Sequence, residues 1–337
     1  MSRSPLANPR RRQLMAGSAA LIACGVAGRM PTAVAASATY PARPITFICP
    51  WPVGGTADQS MRALCQAASE ALGQSVVLEN KAGASGMIGA QALARAAADG
   101  YTIGQIPISV TRFSQLGTLA LDPRQSFTYL ARTSGQTFGI AVPAESRFQT
   151  LKDVVEASKA KPGSLTYGHA GIGGATHVGM EEFALAAGIE LHAVAYRGGA
   201  AALMDVLGGQ VDLLADSSSW APHVESGKMR LLATWGDTRP PRFAQAPTLR
   251  ELGYDVVVQA PNGVGAPAGM DPAIAQVLRD AFRQAVQSES FRRATDLIDA
   301  PLMYLDGPEY AQYIAAEYDR ETVLIERLGL KALLQKG

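Results

Sequence analysis

The chain is poor in cysteine, has no surplus of charge of either sign, and carries no apolar run long enough to cross a membrane. Three cysteines in 337 residues do not make a disulfide scaffold, so stability must come from burial, for which the length is ample. Thirty basic against 29 acidic residues leave none of the basic excess that nucleic-acid binding draws on. A phosphate-binding loop ending Gly-Lys-Ser/Thr, a Gly-x-Ser-x-Gly elbow and a His-Glu-x-x-His helix are all missing. The nearest approach to a dinucleotide fingerprint is the run Gly171 to Thr176, which has Thr176 at the third small position. The strand after it ends Tyr196-Arg197 instead of at an acidic residue. These absences argue against an enzyme and against any cofactor.

What is present begins with a leader. Residues 1–38 hold five arginines (3, 10, 11, 12 and 29), no acidic residue, an apolar run over 14–28 and a small-residue end at Ala36-Ser37-Ala38. The run is about 15 residues, short of the roughly 20 that span a bilayer, so it reads as an export signal. Arg11-Arg12 followed by Gln13-Leu14-Met15 fits the twin-arginine pattern. Leu21-Ile22-Ala23-Cys24 also looks like a lipobox, so a lipid anchor at Cys24 is the alternative to cleavage after Ala38. Either route places the folded part in the periplasm. Removal of 1–38 takes away five of the 30 basic residues and none of the 29 acidic ones, leaving 25 against 29 and a net charge of −4. Cys49 and Cys65 then remain, and the expectation is two buried thiols.

Beyond the leader, short apolar β-branched runs (45–49, 76–78, 101–106, 140–142, 165–167, 191–196, 211–215, 231–234) alternate with helix-period segments such as 58–72, 88–97, 151–160, 177–187 and 200–207. That alternation predicts an α/β fold whose mixed, mainly parallel sheets are flanked by helices. The length suggests two lobes, 39–137 with 262–337 and 138–261, joined near 138–142 and 261–265 with a hinge and a cleft between them.

Three glycine turns stand where a strand passes into a helix: 50–58, 81–89 and 171–177. Glycine lets the backbone approach a ligand, and a helix start presents unpaired N–H groups and a positive dipole end, a setting for small anions. Thr56 with Gln59 reads as a capping box. Asp58 reads first as a dipole partner and then as a ligand contact. His177 reads as a hydrogen-bonding residue because His169 is eight residues earlier and no third metal ligand follows at useful spacing. His192 and His223 read as structural, and Trp220 and Trp235 as packing. Arg197 suits a carboxylate but equally suits a solvated strand end. Asp216 would repel an anion unless it held a water, an amine or a backbone donor.

The order of motifs resembles a known family. Tyr40 to Ile45, Pro50 to Asp58, Glu79 to Gly86, Asp99 to Thr102, Lys161 to Tyr167, Gly171 to His177, Tyr196 to Gly198, Leu207 to Asp212 and Ala266 to Gly269 look like the Bug-type extracytoplasmic solute receptors of tripartite tricarboxylate transporters. The resemblance implies a type II-like, two-lobed periplasmic binding protein, monomeric, that closes over a small carboxylate and works with membrane transporter subunits. Carried over by position, the first lobe's grip is Trp51, Pro52, Gly54, Gly55, Thr56 and Asp58 with Ala84 and Ser85. The second lobe's grip is Gly173, Gly174, Thr176, His177, Tyr196 and Asp216. Trp51, Val53, Met87 and Pro261-Asn262 depart from the family pattern, which opens the ligand range to other acids, aromatic ones included, since Trp51 offers a stacking face. A ligand-sensing receptor serving a signalling partner is the second reading.

Overall fold

A computed structural model describes residues 40–333; the leader and its Cys24 lie outside them. In chain order the strands are β1 (Ile45–Cys49), β2 (Val76–Asn80), β3 (Thr102–Ile106), β4 (Phe127–Ser134), β5 (Gly139–Pro143), β6 (Thr166–His169), β7 (His192–Ala195), β8 (Leu213–Asp216), β9 (Met229–Thr234), β10 (Asn262–Pro267) and β11 (Leu302–Asp306). The helices are α1 (Thr56–Leu72), α2 (Met87–Ala94), α3 (Val110–Gln115), α4 (Pro123–Ser126), α5 (Leu151–Ala160), α6 (Ala175–Ala187), α7 (Gly199–Leu207), α8 (Ala221–Glu225), α9 (Pro272–Gln287), α10 (Glu289–Leu297), α11 (Gly307–Arg327) and α12 (Leu330–Leu333).

The strands form two sheets. The first has six strands in the order β11-β4-β10-β3-β1-β2, the second five in the order β7-β6-β8-β5-β9. Four pairings are parallel, β1 with β2 and β3, and β6 with β7 and β8. Five are antiparallel, all involving β5 or β10 or β11. Parallel pairing is therefore less dominant than the alternation of runs suggests, because the strands near the two passages between sheets run against their neighbours. Those passages lie at 135–138 and, on the return, just before Asn262.

The helices pack by their apolar faces. Met61, Leu64, Cys65 and Ala68 of α1 are buried at the spacing of one helix face, and Ala275, Leu278, Phe282 and Ala285 do the same on α9. Each large side chain so buried contributes about 1.5–3 kcal/mol. A second cluster runs from Ile48 and Ile106 beside the first sheet through Phe138 to Tyr167 and Trp235 beside the second. This shared core keeps the described residues as one compact unit. Trp220 and Trp235 are fully buried in it or beside it, and Cys49 and Cys65 are free and buried. Among the described residues no helix is long and apolar enough to cross a membrane.

Candidate functional site

The parallel strands β1 and β6 each deliver the chain into a glycine turn and then a helix, α1 and α6, whose first turns face one another across the gap between the sheets. The loop before α1 turns at Gly54, with φ of 88°, and caps the helix with extended Gly55 at φ −72° and ψ 163°. The loop before α6 repeats this, with Gly173 at φ 71° and Gly174 at φ −72° and ψ 171°. Helix α7 supplies a third N-terminus, entered through Gly198 at φ 107°.

Each turn is held by a side chain in the first turn of its own helix. Asp58 Oδ2 accepts from the Gly54 N–H at 2.9 Å and from Arg62 Nε at 3.0 Å, while its Oδ1 accepts from Asn80 Nδ2 at 2.7 Å. His177 Nδ1 accepts from the Gly173 N–H at 3.1 Å, and Thr176 Oγ1 accepts from the Ala170 N–H at 3.1 Å. Burial lowers the His169 pKa to about 4. Burial, with His169 and Arg112 nearby, lowers that of His177 to about 3. Both rings are therefore neutral at ordinary pH, as their accepting Nδ1 atoms require, and they stack at 4.6 Å.

The loops from the two sheets touch. Thr56 Oγ1 and Ser217 Oγ are 2.5 Å apart, and Ser85 Oγ donates to the Ile172 carbonyl at 2.6 Å. A Cβ at Gly198 would fall 2.6 Å from Pro52 Cγ, and one at Gly171 would fall 2.7 Å from Ser85 Oγ, so only glycine permits these approaches. Ser85 and Ala84 hold positive φ, 52° and 46°, which is uncommon for residues with a Cβ and marks a strained turn. Arg112 of α3 ties the α6 loop to α11: its Nη1 donates to the Gly173 carbonyl at 2.8 Å while its Nε bonds Glu321 at 2.8 Å, both side chains buried.

Beside these contacts lies a cavity of about 70 Å³. Eight residues expected from the sequence line it: Trp51, Pro52, Gly55, Thr56, Ser85, Gly174, Thr176 and Asp216. Gly54, Asp58, Ala84, Gly173, His177 and Tyr196 stand behind it. Asp58 and His177 are turned back onto their own loops, and the Tyr196 hydroxyl donates to Asp205 at 2.7 Å. Thr56 is not the cap of α1: Gly55 is, and the expected box with Gln59 does not form because the Thr56 hydroxyl is committed to Ser217 and Gln59 Nε2 to the Gly54 carbonyl. Arg197 is exposed and does not line the cavity.

Sequence reasoning missed the Gly198-Gly199-Ala200 turn, although it repeats the strand–glycine–helix rule used for the other turns. It also missed the carboxamide floor. Gln105 Nε2 donates to Asn262 Oδ1 at 2.8 Å, Asn262 Nδ2 donates to Ser134 Oγ at 3.0 Å, and Gln136 approaches the same Oδ1 at 3.4 Å. Gln105 had a readable signal, a polar residue inside the apolar strand Ile103 to Ile106. A wider groove of about 630 Å³ lies behind the passages between sheets, but its Arg239 and Arg242 are already paired with Glu251 and Glu225.

The family model described as the tripartite tricarboxylate transporter family receptor matches residues 60–330. The chain belongs to that family. A relative from Cupriavidus necator, the UPF0065 protein in the gbd 5′ region, is 40% identical over 313 residues, covering 93% of this chain and 95% of its own. The solved structure of the periplasmic binding protein BugD superposes with a TM-score of 0.82 at 27% identity, covering 86% of this chain and 99% of that one, which makes this receptor Bug-type. MatC from Rhodopseudomonas palustris, solved with bound malate, superposes with a TM-score of 0.78 at 25% identity, covering 85% of this chain and 100% of that one. The family is one of solute-binding receptors.

Proposed function

We propose that this receptor captures a small organic acid in the cavity between its two sheets and hands it to a tripartite transporter in the membrane. The observation that carries the reading is the convergence of the N-termini of α1, α6 and α7 on a cavity with no lysine, arginine or histidine in its lining. An anion held there is met by backbone N–H groups and helix dipoles, each helix end worth roughly half a positive charge. A volume of about 70 Å³ is well below the roughly 300–1,000 Å³ of sites for drug-sized ligands, which suits a closed grip on a small metabolite. The malate bound in the solved structure of MatC supports a carboxylate as the ligand.

In this reading the lobes are 39–137 with 262–337 and 138–261, and the passages between sheets act as the hinge. A ligand that touches both lobes stabilises the closed state. The leader exports the chain, by the twin-arginine route, to the periplasm, where it acts as a monomeric binding protein and not as an enzyme. A thermal-shift screen of the purified protein against di-, tri-, hydroxy-, amino and aromatic acids tests this. A ligand at 100 times its dissociation constant adds about 2.7 kcal/mol, so the midpoint rises by some degrees with at least one acid. A rise with neutral or cationic compounds alone contradicts the reading.

A further inference from the structure

The one ionisable side chain in the cavity wall is an acid. Asp216 ends β8, is 3% exposed, and lies against the first residue of α7, where a Cβ on Gly199 would fall within 1.8 Å of its carboxylate. Ser219 Oγ donates to Oδ2, and the Ser217 N–H also bonds the carboxylate. Among the described residues no cation pairs with it. Burial raises its pKa to about 6, against the opposing hydrogen bonds from Ser219 and Ser217, so it is largely ionised above neutral pH.

A buried carboxylate without a cation is costly, and proteins rarely keep one unless something arrives to pair with it. The charge balance points the same way. Three helix ends give roughly half a positive charge each, and Asp216 cancels most of that. A ligand with two or three negative charges is therefore overloaded, whereas an acid that also carries a positive group is balanced. On the opposite wall, the Trp51 indole Nε1–H is buried and has no partner, a donor free for a carboxylate oxygen.

We infer that the ligand is a small amino acid, its carboxylate held by Trp51 Nε1–H and the N-termini of α1 and α6, and its ammonium group held by Asp216. The inference rests on the acid-binding reading of the cavity and narrows it. Asp216 is the residue that sets the ligand class, and Gly199 is the residue that lets its carboxylate lie where the ammonium group meets it.

The test is calorimetric titration of the purified protein at pH 7.5 with matched pairs differing only in amino against hydroxyl: aspartate and malate, glutamate and 2-hydroxyglutarate, alanine and lactate. The expected result is that the amino member of at least one pair binds about tenfold or more tightly than its hydroxy partner, the range of a charge-assisted hydrogen bond. Asp216→Asn then removes that preference. If acids bind but in no pair does the amino member bind more tightly than its hydroxy partner, or if Asp216→Asn keeps the preference, the inference is overturned while the acid receptor stands. If no acid of either kind binds, both fall. The wild-type pairs decide the matter even where the variant folds poorly.

Discussion

The turn that opens α1 and the turn that opens α6 have the same backbone but different side chains. Both place a positive-φ glycine before an extended glycine cap, and in both the third helical residue reaches back to the N–H four residues earlier. In the first turn that residue is Asp58, charged and netted to Arg62 and Asn80. In the second it is His177, neutral and stacked on His169. The backbone solution is shared because each glycine turn leads into a helix whose first N–H groups have no partner within the helix, and a side chain from the first turn pins the loop. The choice of pin sets how each half responds to charge and to pH.

The two turns differ most in the strength of the side chain that holds them, and Asp58 is the stronger. Asp58→Ala leaves the Gly54 N–H and Asn80 without their acceptor, and we expect a loss of about 3 kcal/mol, since hydrogen bonds to charged groups are involved; chemical denaturation checks it. His177→Phe keeps a ring against His169 while removing a single neutral acceptor, and should cost less, about 1–2 kcal/mol by the same measurement. A loss from His177→Phe as large as that from Asp58→Ala would show that the two turns are not held in the way described.

Acidification sharpens the contrast. His169 and His177 titrate at about 6.5 when unfolded and at about 4 and 3 in the fold. The unfolded chain thus takes up protons first, and the stability that neutral imidazoles contribute, full above pH 6.5, is lost as pH falls toward 4. Asp216 acts with the opposite sign: its acid form is favoured in the fold, so its contribution is lost as pH rises from about 4 through about 6. Stability measured from pH 7 to pH 4 should therefore fall less steeply in His177→Ala than in the wild type. An unchanged slope would mean that His177 is not buried neutral. At the small end, Arg197→Ala is expected to change stability by less than about 0.5 kcal/mol and to leave ligand affinity unchanged, as befits an exposed side chain off the cavity wall.

Much of this arrangement was legible in the sequence. The strand runs at 45–49 and 165–167 and the glycine turns after them placed the two helix N-termini, because periodicity and glycine position are local signals. The strand β4 was not read, since Arg132, Thr133 and Ser134 interrupt its apolar character; Arg132 is satisfied only by the Met303 carbonyl and the Tyr313 ring, which come from distant segments. The edge strand β11 was hidden for a similar reason, its partner being β4 itself. Among candidate site residues, Gly55 and Gly174 lie on the cavity wall, while the Asp58, His177 and Tyr196 side chains bond the Gly54 N–H, the Gly173 N–H and Asp205. Which way a polar side chain turns depends on partners such as Asn80 and Asp205, and no local pattern shows them.

The central claim is that a small acid is held where the two sheets meet, so the decisive measurement is titration of an acid identified by thermal shift into the wild type and into Gly198→Val. The valine Cβ would fall 2.6 Å from Pro52 Cγ and hold the sheets apart on the cavity side. Affinity should drop at least about tenfold while both proteins remain folded by circular dichroism. Equal affinity in a folded Gly198→Val would contradict the claim, because the acid would then be bound somewhere that does not require the two sides to meet.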